Sequence, residues 1–245
     1  METDHLVVTD HGRVRWLRLN RPEVRNAMTS AMATALRDQL EATATDDAVG
    51  ALVICATGPS FSSGVDRKEA FEGPDATLTQ KRDRPLWPVE ELVTHPKPVV
   101  CALNGPAHGG GATLALACDL RVAAQSATLT FNLARVGLSP EFGSSFLLWR
   151  QVGYGRALDL MLTGRSVDAA EALTMGLVNR VVDDTDVDAV AGGLAEEIAS
   201  LPAGAAAATK SVLLAGLTAD LAGARRSELR TLGAQAKRLA ARPTT

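Results

Sequence analysis

Cysteine, histidine and aromatic residues are all scarce in this 245-residue chain, which holds three cysteines and four histidines. So few cysteines exclude a disulfide scaffold at this length. Cys55, Cys101 and Cys118 each sit among Ala, Val, Ile or Leu, as small buried hydrophobes in a reducing compartment do. No C-x-x-C pair occurs, and His5, His11, His95 and His108 never pair at ligand spacing, so no metal site is expected. There is no basic run and the formal net charge is −3, which argues against nucleic acid as the main partner. No stretch of about 18 apolar residues escapes interruption by Gly, Pro or a charge, so no membrane-spanning helix is expected. The start METDHLVV has neither the basic head nor the apolar core of a signal peptide, and a cytoplasmic location is expected. Apolar residues, by contrast, make up 46% of the chain, which excludes intrinsic disorder. The length suits one large domain, with or without a terminal appendage.

Periodicity divides the chain. The opening segment reads as two strands, the second over Val14–Leu19, broken by Asn20-Arg21-Pro22. Ser30 is the expected N-cap of a helix that puts Met32, Ala35, Leu36 and Leu40 on one face and fades near Thr45-Asp46-Asp47. Ala51–Ala56 and Val99–Leu103 are short and wholly apolar, the pattern of strands covered on both faces. Each runs into a glycine loop, Ser62-Ser63-Gly64-Val65-Asp66 and Asn104-Gly105-Pro106-Ala107-His108-Gly109-Gly110-Gly111. A small-residue helix is expected to start at Ala112. Residues 73–88 are polar and proline-bounded, and read as mobile, with a short helix near Leu92. Leu120–Val122 and Leu129–Phe131 read as further strands, and a loop over residues 137–143 precedes a helix from Ser144. From Asp186 onward nearly every residue is a helix former, with Pro202 as punctuation, so the expected units are an α/β core over 1–185 and a helical region over 186–245.

The triple glycine is not a standard phosphate loop. Walker A requires a Gly-Lys pair that is absent here, and Leu114 stands where the last glycine of a dinucleotide fingerprint belongs. What remains is bare backbone at a helix N-terminus, fit to bind an anion or an oxygen that becomes one during reaction. Close strand–helix packing is an equally simple reason for such glycines.

Taken in order, the motifs resemble the crotonase (enoyl-CoA hydratase/isomerase) superfamily from about Val7 to Lys210. The resemblance is carried by Asn20-Arg21-Pro22-Glu23-Val24-Arg25-Asn26-Ala27, by Phe61-Ser62-Ser63-Gly64-Val65-Asp66-Arg67-Lys68-Glu69, and by Lys97-Pro98-Val99 with the triple-glycine segment. Ala117-Cys118-Asp119-Leu120-Arg121, Thr163-Gly164-Arg165 and Gly176-Leu177-Val178 complete it. It implies an α/β spiral of ββα units with a helical C-terminal trimerisation region, assembling as a homotrimer or dimer of trimers. It implies an acyl-CoA thioester as ligand, coenzyme A being part of the substrate, and no further cofactor or metal. The oxyanion donors it implies are the backbone N–H groups of Val65 and Gly110. Arg25, Ala27, Ser63, Asp66, Arg67, Lys68, His108, Leu133 and Pro140 then fall around the substrate. Ser63, Asp66 and Arg67 would offer backbone to the adenine, and Arg25 and Lys68 would lie near the phosphates. His108 would border the acyl pocket. The chain stops short of the final helix and basic tail common in the family.

Hydration needs two proton-handling groups, and the hydratases of this family use two glutamates. Here those positions read Thr113 and Leu133, neither of which transfers protons near neutral pH. Glu141, in Ser139-Pro140-Glu141-Phe142-Gly143, remains. This pattern resembles the peroxisomal-type Δ3,Δ2-enoyl-CoA isomerases, which work with one base. Walled by Leu133 and Phe142, its carboxyl is expected to have a raised pKa. Two other readings stand beside isomerisation. One is an acyl-CoA-binding member with little catalysis. The other is an aryl-CoA dehalogenase, which would carry an aspartate where this chain has the longer Glu141.

Overall fold

The computed structural model describes residues 5–72 and 87–240. Most of the 73–88 stretch expected to be mobile therefore lies outside the described residues. β1 (Leu6–His11) and β2 (Val14–Leu19) form an antiparallel hairpin. β3 (Ala51–Ala56), β4 (Val99–Leu103), β6 (Leu120–Ala124) and β9 (Arg180–Val182) then add in parallel, giving the order β1-β2-β3-β4-β6-β9. A second, small sheet joins β5 (Ala107–His108), β7 (Thr128–Thr130) and β8 (Ser166–Asp168) in the order β5-β7-β8. Every residue of β3 and β4 is buried, as continuous apolar runs in a covered parallel sheet should be.

The helices are α1 (Ser30–Ala44), α2 (Arg67–Phe71), α3 (Val89–Thr94), α4 (Gly110–Ala117), α5 (Ser144–Val152), α6 (Tyr154–Thr163), α7 (Ala169–Met175), α8 (Val187–Ala199), α9 (Ala205–Gly216) and α10 (Leu221–Ala240). In α1 the buried face is Met32, Ala33, Leu36, Leu40 and Thr43, and Ala35 is only half-buried. Its N-cap is Thr29 rather than Ser30. Thr29 keeps extended dihedrals and its hydroxyl accepts the Met32 N–H at 3.2 Å. Ser30 is the first helical residue, and its N–H donates to the Glu69 carboxylate at 2.9 Å. α4 likewise starts at Gly110, two residues before Ala112, because the last two glycines are themselves helical.

The described residues from Val187 to Ala240 are helical as expected, with a break at 217–220 in addition to the one around Pro202. α8 packs on β2, β3, β4 and β6, burying Val187, Ala191, Ala195 and Ala199 in the main core. α9 is tied down by Lys210, whose ammonium donates to Asp119 at 2.7 Å and to the carbonyl of Leu92 at 3.3 Å. Asp119 also accepts the Val99 N–H at 2.8 Å. Buried Arg121 donates to the Cys118 carbonyl at the end of α4 and to that of Leu177, both at 2.5 Å. The three cysteines are free and buried. Among the described residues no helix is long and apolar enough to cross a membrane, and no His, Cys, Asp and Glu group is arranged to hold a metal.

Candidate active site

The two glycine loops meet at the C-terminal ends of β3 and β4. Asn26 organises the first of them. It is fully buried in a left-handed conformation, φ 53°. Its side chain accepts from the Arg21 N–H at 2.8 Å and donates to the carbonyls of Thr57 at 2.9 Å and Ser60 at 2.8 Å. The Asn26 carbonyl in turn accepts from the Ser62 hydroxyl at 2.8 Å.

This arrangement determines where the Val65 N–H points. The Gly64 carbonyl accepts from Met28 at 2.8 Å, and the Asp66 N–H donates to the Met28 carbonyl at 2.9 Å. In extended chain, neighbouring peptide groups face opposite sides. With residues 64 and 66 both bonded to Met28, the Val65 N–H faces away from it. Gly110 reaches the same condition by another route. As the first residue of α4, its N–H has no intrahelical acceptor. Neither N–H has an acceptor among the described residues.

The loops touch so closely that only glycine fits. A Cβ on Gly64 (φ 91°) would lie 2.8 Å from the His108 carbonyl oxygen and 3.4 Å from the Gly110 nitrogen. One on Gly111 would lie 2.6 Å from the Ser62 carbonyl oxygen. The His108 N–H donates to that Ser62 oxygen at 2.9 Å. The result is two unpaired donors on adjoining loops, the minimum for holding an oxyanion.

Glu141 arrives on the turn before α5. Phe142 and Gly143 are both left-handed, at φ 49° and 77°, and this conformation costs a bulky residue about 1–3 kcal/mol. The Phe142 ring lies 3.2 Å from where a Gly110 Cβ would be, and Met28 Cε lies 2.9 Å from it. The turn is thereby pressed onto the start of α4. Glu141 is half-buried, makes no side-chain hydrogen bond among the described residues, and has its carboxyl pushed up to about 7 by burial. Thr113 is buried, and its hydroxyl donates to the Gly109 carbonyl at 3.3 Å. Thr113, Leu133 and Pro140 share one cavity of about 240 Å³. Larger cavities of about 530 and 830 Å³ lie beneath α9 and include none of the glycine-loop residues.

The other expected residues divide into groups. Ser63 and Arg25 adjoin, the Ser63 N–H donating to the Arg25 carbonyl at 2.8 Å, and both are exposed. His108 is half-buried, and burial, together with the nearby Arg25 charge, lowers its pKa. Arg67 and Lys68 are exposed on α2 without an ion-pair partner among the described residues. Ala27 is half-buried, and its carbonyl is taken by Arg21. Asp66 serves the fold. It caps α2 by accepting from the Lys68 and Glu69 N–H groups, and it pairs with Arg21 at 3.0 Å. Burial opposes its ionisation, but these bonds outweigh it and hold the carboxyl below its ordinary value. Met28, Phe142 as the neighbour of Gly110, and the α6 wall of Leu158, Met161 and Leu162 were not identified from sequence as site residues. The i, i+3, i+4 spacing of the last three marks a helix face without saying what it faces.

Residues 10–241 match the family model described as enoyl-CoA hydratase/isomerase. The chain is 38% identical over 230 residues to a probable enoyl-CoA hydratase of Rhizobium meliloti, covering 94% of this chain and 89% of that one. It is 35% identical over 205 residues to a 4-chlorobenzoyl coenzyme A dehalogenase of Arthrobacter sp, covering 82% and 74%. Its fold superposes with a TM-score of 0.85 and 34% identity on a putative enoyl-CoA hydratase from Thermobifida fusca, solved in complex with CoA, covering 97% and 95%.

Proposed function

Because this chain belongs to the enoyl-CoA hydratase/isomerase family of acyl-CoA enzymes, we propose that it moves a double bond, converting 3-enoyl-CoA to 2-enoyl-CoA with Glu141 as its one acid–base group. The observation that carries this reading is the half-buried Glu141, raised to about 7, beside a cavity where Thr113 and Leu133 offer no second carboxylate. A base that must take a proton and return it works best when its pKa lies near the operating pH. Glu141 removes the C2 proton, the C2–H electron pair forms a C1–C2 double bond, and the carbonyl π pair moves onto the thioester oxygen. That oxygen pair then restores the carbonyl, the C1–C2 pair shifts to C2–C3, and the C3–C4 π pair takes the proton back from Glu141 at C4. In between, negative charge collects on the thioester oxygen, where the Val65 and Gly110 N–H groups hold it. One such donor contributes about 3–4 kcal/mol in a transition state.

The CoA portion follows the first loop in this reading, with Ser63, Asp66 and Arg67 presenting backbone and Arg25 and Lys68 lying near phosphates. A structural relative solved with CoA supports that ligand. Relatives named as hydratase and dehalogenase at similar identity show that likeness alone does not select the reaction. Exposed leucines on α9 and α10, among them Leu213, Leu221 and Leu229, support a homotrimer or dimer of trimers, which sizing with light scattering tests.

Glu141→Gln tests the mechanism. The amide keeps the shape, so thioester affinity should stay within a few-fold while isomerase turnover falls on the order of 10²–10⁴. A Gln variant nearly as fast as wild type overturns it, as does a hydration rate on 2-enoyl-CoA that matches the isomerisation rate. Tight binding of thioesters without turnover by the wild type would favour the binding-protein reading.

A further inference from the structure

The cavity of about 240 Å³ lies against the glycine loop and reaches outward to α6. Apart from Thr113 and Ser144, every side chain lining it is apolar, and the Thr113 hydroxyl is already engaged with the Gly109 carbonyl. The inner wall is Phe131 and Leu133 and the outer wall is Leu158, Met161 and Leu162. That outer wall is a single helix, α6, and its Leu162 is 68% exposed. The chamber therefore offers dispersion contacts and desolvation to an apolar group, and to a polar one only the buried Ser144 hydroxyl, which has no partner among the described residues.

Its volume limits what enters. An apolar cavity of about 150 Å³ accommodates a benzene ring, and a water-sized group takes about 30 Å³. The chamber thus holds one phenyl ring with a link of about three atoms. A fatty tail of ten further carbons needs roughly 300 Å³ by the same measure. We propose that this chamber takes the acyl end of the substrate, and that the substrate class is a thioester bearing one compact apolar group about the size of a phenyl ring. The proposal rests on the thioester oxygen sitting at Val65 and Gly110, which places the acyl chain beside Gly109 and Thr113.

Inert saturated thioesters test it without turnover, so a wrong assignment of the reaction does not disturb the result. Calorimetry compares butanoyl-CoA, 4-phenylbutanoyl-CoA and dodecanoyl-CoA on the wild type. The phenyl compound should bind at least about tenfold more tightly than butanoyl-CoA, as expected for burying an aromatic group. Dodecanoyl-CoA should bind no more tightly than the phenyl compound. Leu133→Trp fills the chamber and should erase the phenyl preference. If that variant misfolds, Met161→Trp addresses the opposite wall. Equal affinity for all three thioesters, or tightest binding of the dodecanoyl compound, overturns the proposal while leaving the thioester site intact. Failure of every thioester to bind overturns both.

Discussion

The pH dependence of isomerisation follows from the burial of Glu141. An ordinary glutamate ionises near 4.5, and this one near 7. If its carboxylate is the base, kcat/KM tracks the ionised fraction in the free enzyme. At pH 5 that fraction is about 1% for a group at 7 and most of the population for an ordinary carboxyl. Lowering the pH from 8 to 5 should thus cost about a hundredfold in kcat/KM, with unit slope below pH 7, where an unperturbed base would cost less than about twofold. The assay follows the absorbance of the conjugated product from pH 5 to 9. The substrate's own terminal phosphate titrates near pH 6, and His108 titrates below its ordinary value, with Arg25 nearby. Affinity of a saturated thioester over the same range separates those effects from the base. A fall of less than about threefold between pH 8 and 5 would refute the assignment of Glu141, whatever its exposure.

The same burial makes Glu141 a cost to the fold. Its folded value exceeds the unfolded one, so stability is retained below about pH 4.5 and lost as pH rises through about 7. Glu141→Gln should therefore stabilise the protein at pH 8, on the order of 1 kcal/mol after allowing for solvent screening, and leave it unchanged at pH 4; urea titrations at both pH values decide it. Asn26→Asp puts an acceptor against the two carbonyls that Asn26 now donates to, in a fully buried position. A loss of about 3–5 kcal/mol is expected in urea, and a loss under 1 kcal/mol would show that the loop does not depend on this residue. Gly64→Ala strains a φ of 91° and drives a methyl to 2.8 Å from the His108 carbonyl. Turnover should fall at least about a hundredfold through separation of the two donors, and a folded variant with normal kcat would break the link between loop contact and catalysis.

Much of the fold was legible in one dimension. Short, wholly apolar runs at 51–56 and 99–103 have no stable place except inside a parallel sheet covered on both faces, and both lie there. Glycines 64 and 109–111 marked the loops because bare backbone there serves few purposes, and the match over residues 10–241 agrees with the resemblance read from those motifs. That residues 113 and 133 are not carboxylates is read directly along the chain, and the family resemblance is what singled out those two positions.

Other features depended on contacts between distant segments. Whether Thr29 or Ser30 caps α1 turned on which backbone stayed extended and on Glu69, 39 residues away, taking the Ser30 N–H. The partner of the Asp66 carboxylate is likewise set by tertiary contact, since it is Arg21, 45 residues away. The direction of the Val65 N–H is set by Met28 bonding to the residues on either side of it, and the pKa of Glu141 by what surrounds it. The chamber behind Thr113 is walled by residues between 109 and 162. Side-chain type and spacing are local and can be read along the chain, whereas burial, hydrogen-bond partnership and enclosed volume are properties of packing, decided only when the segments meet.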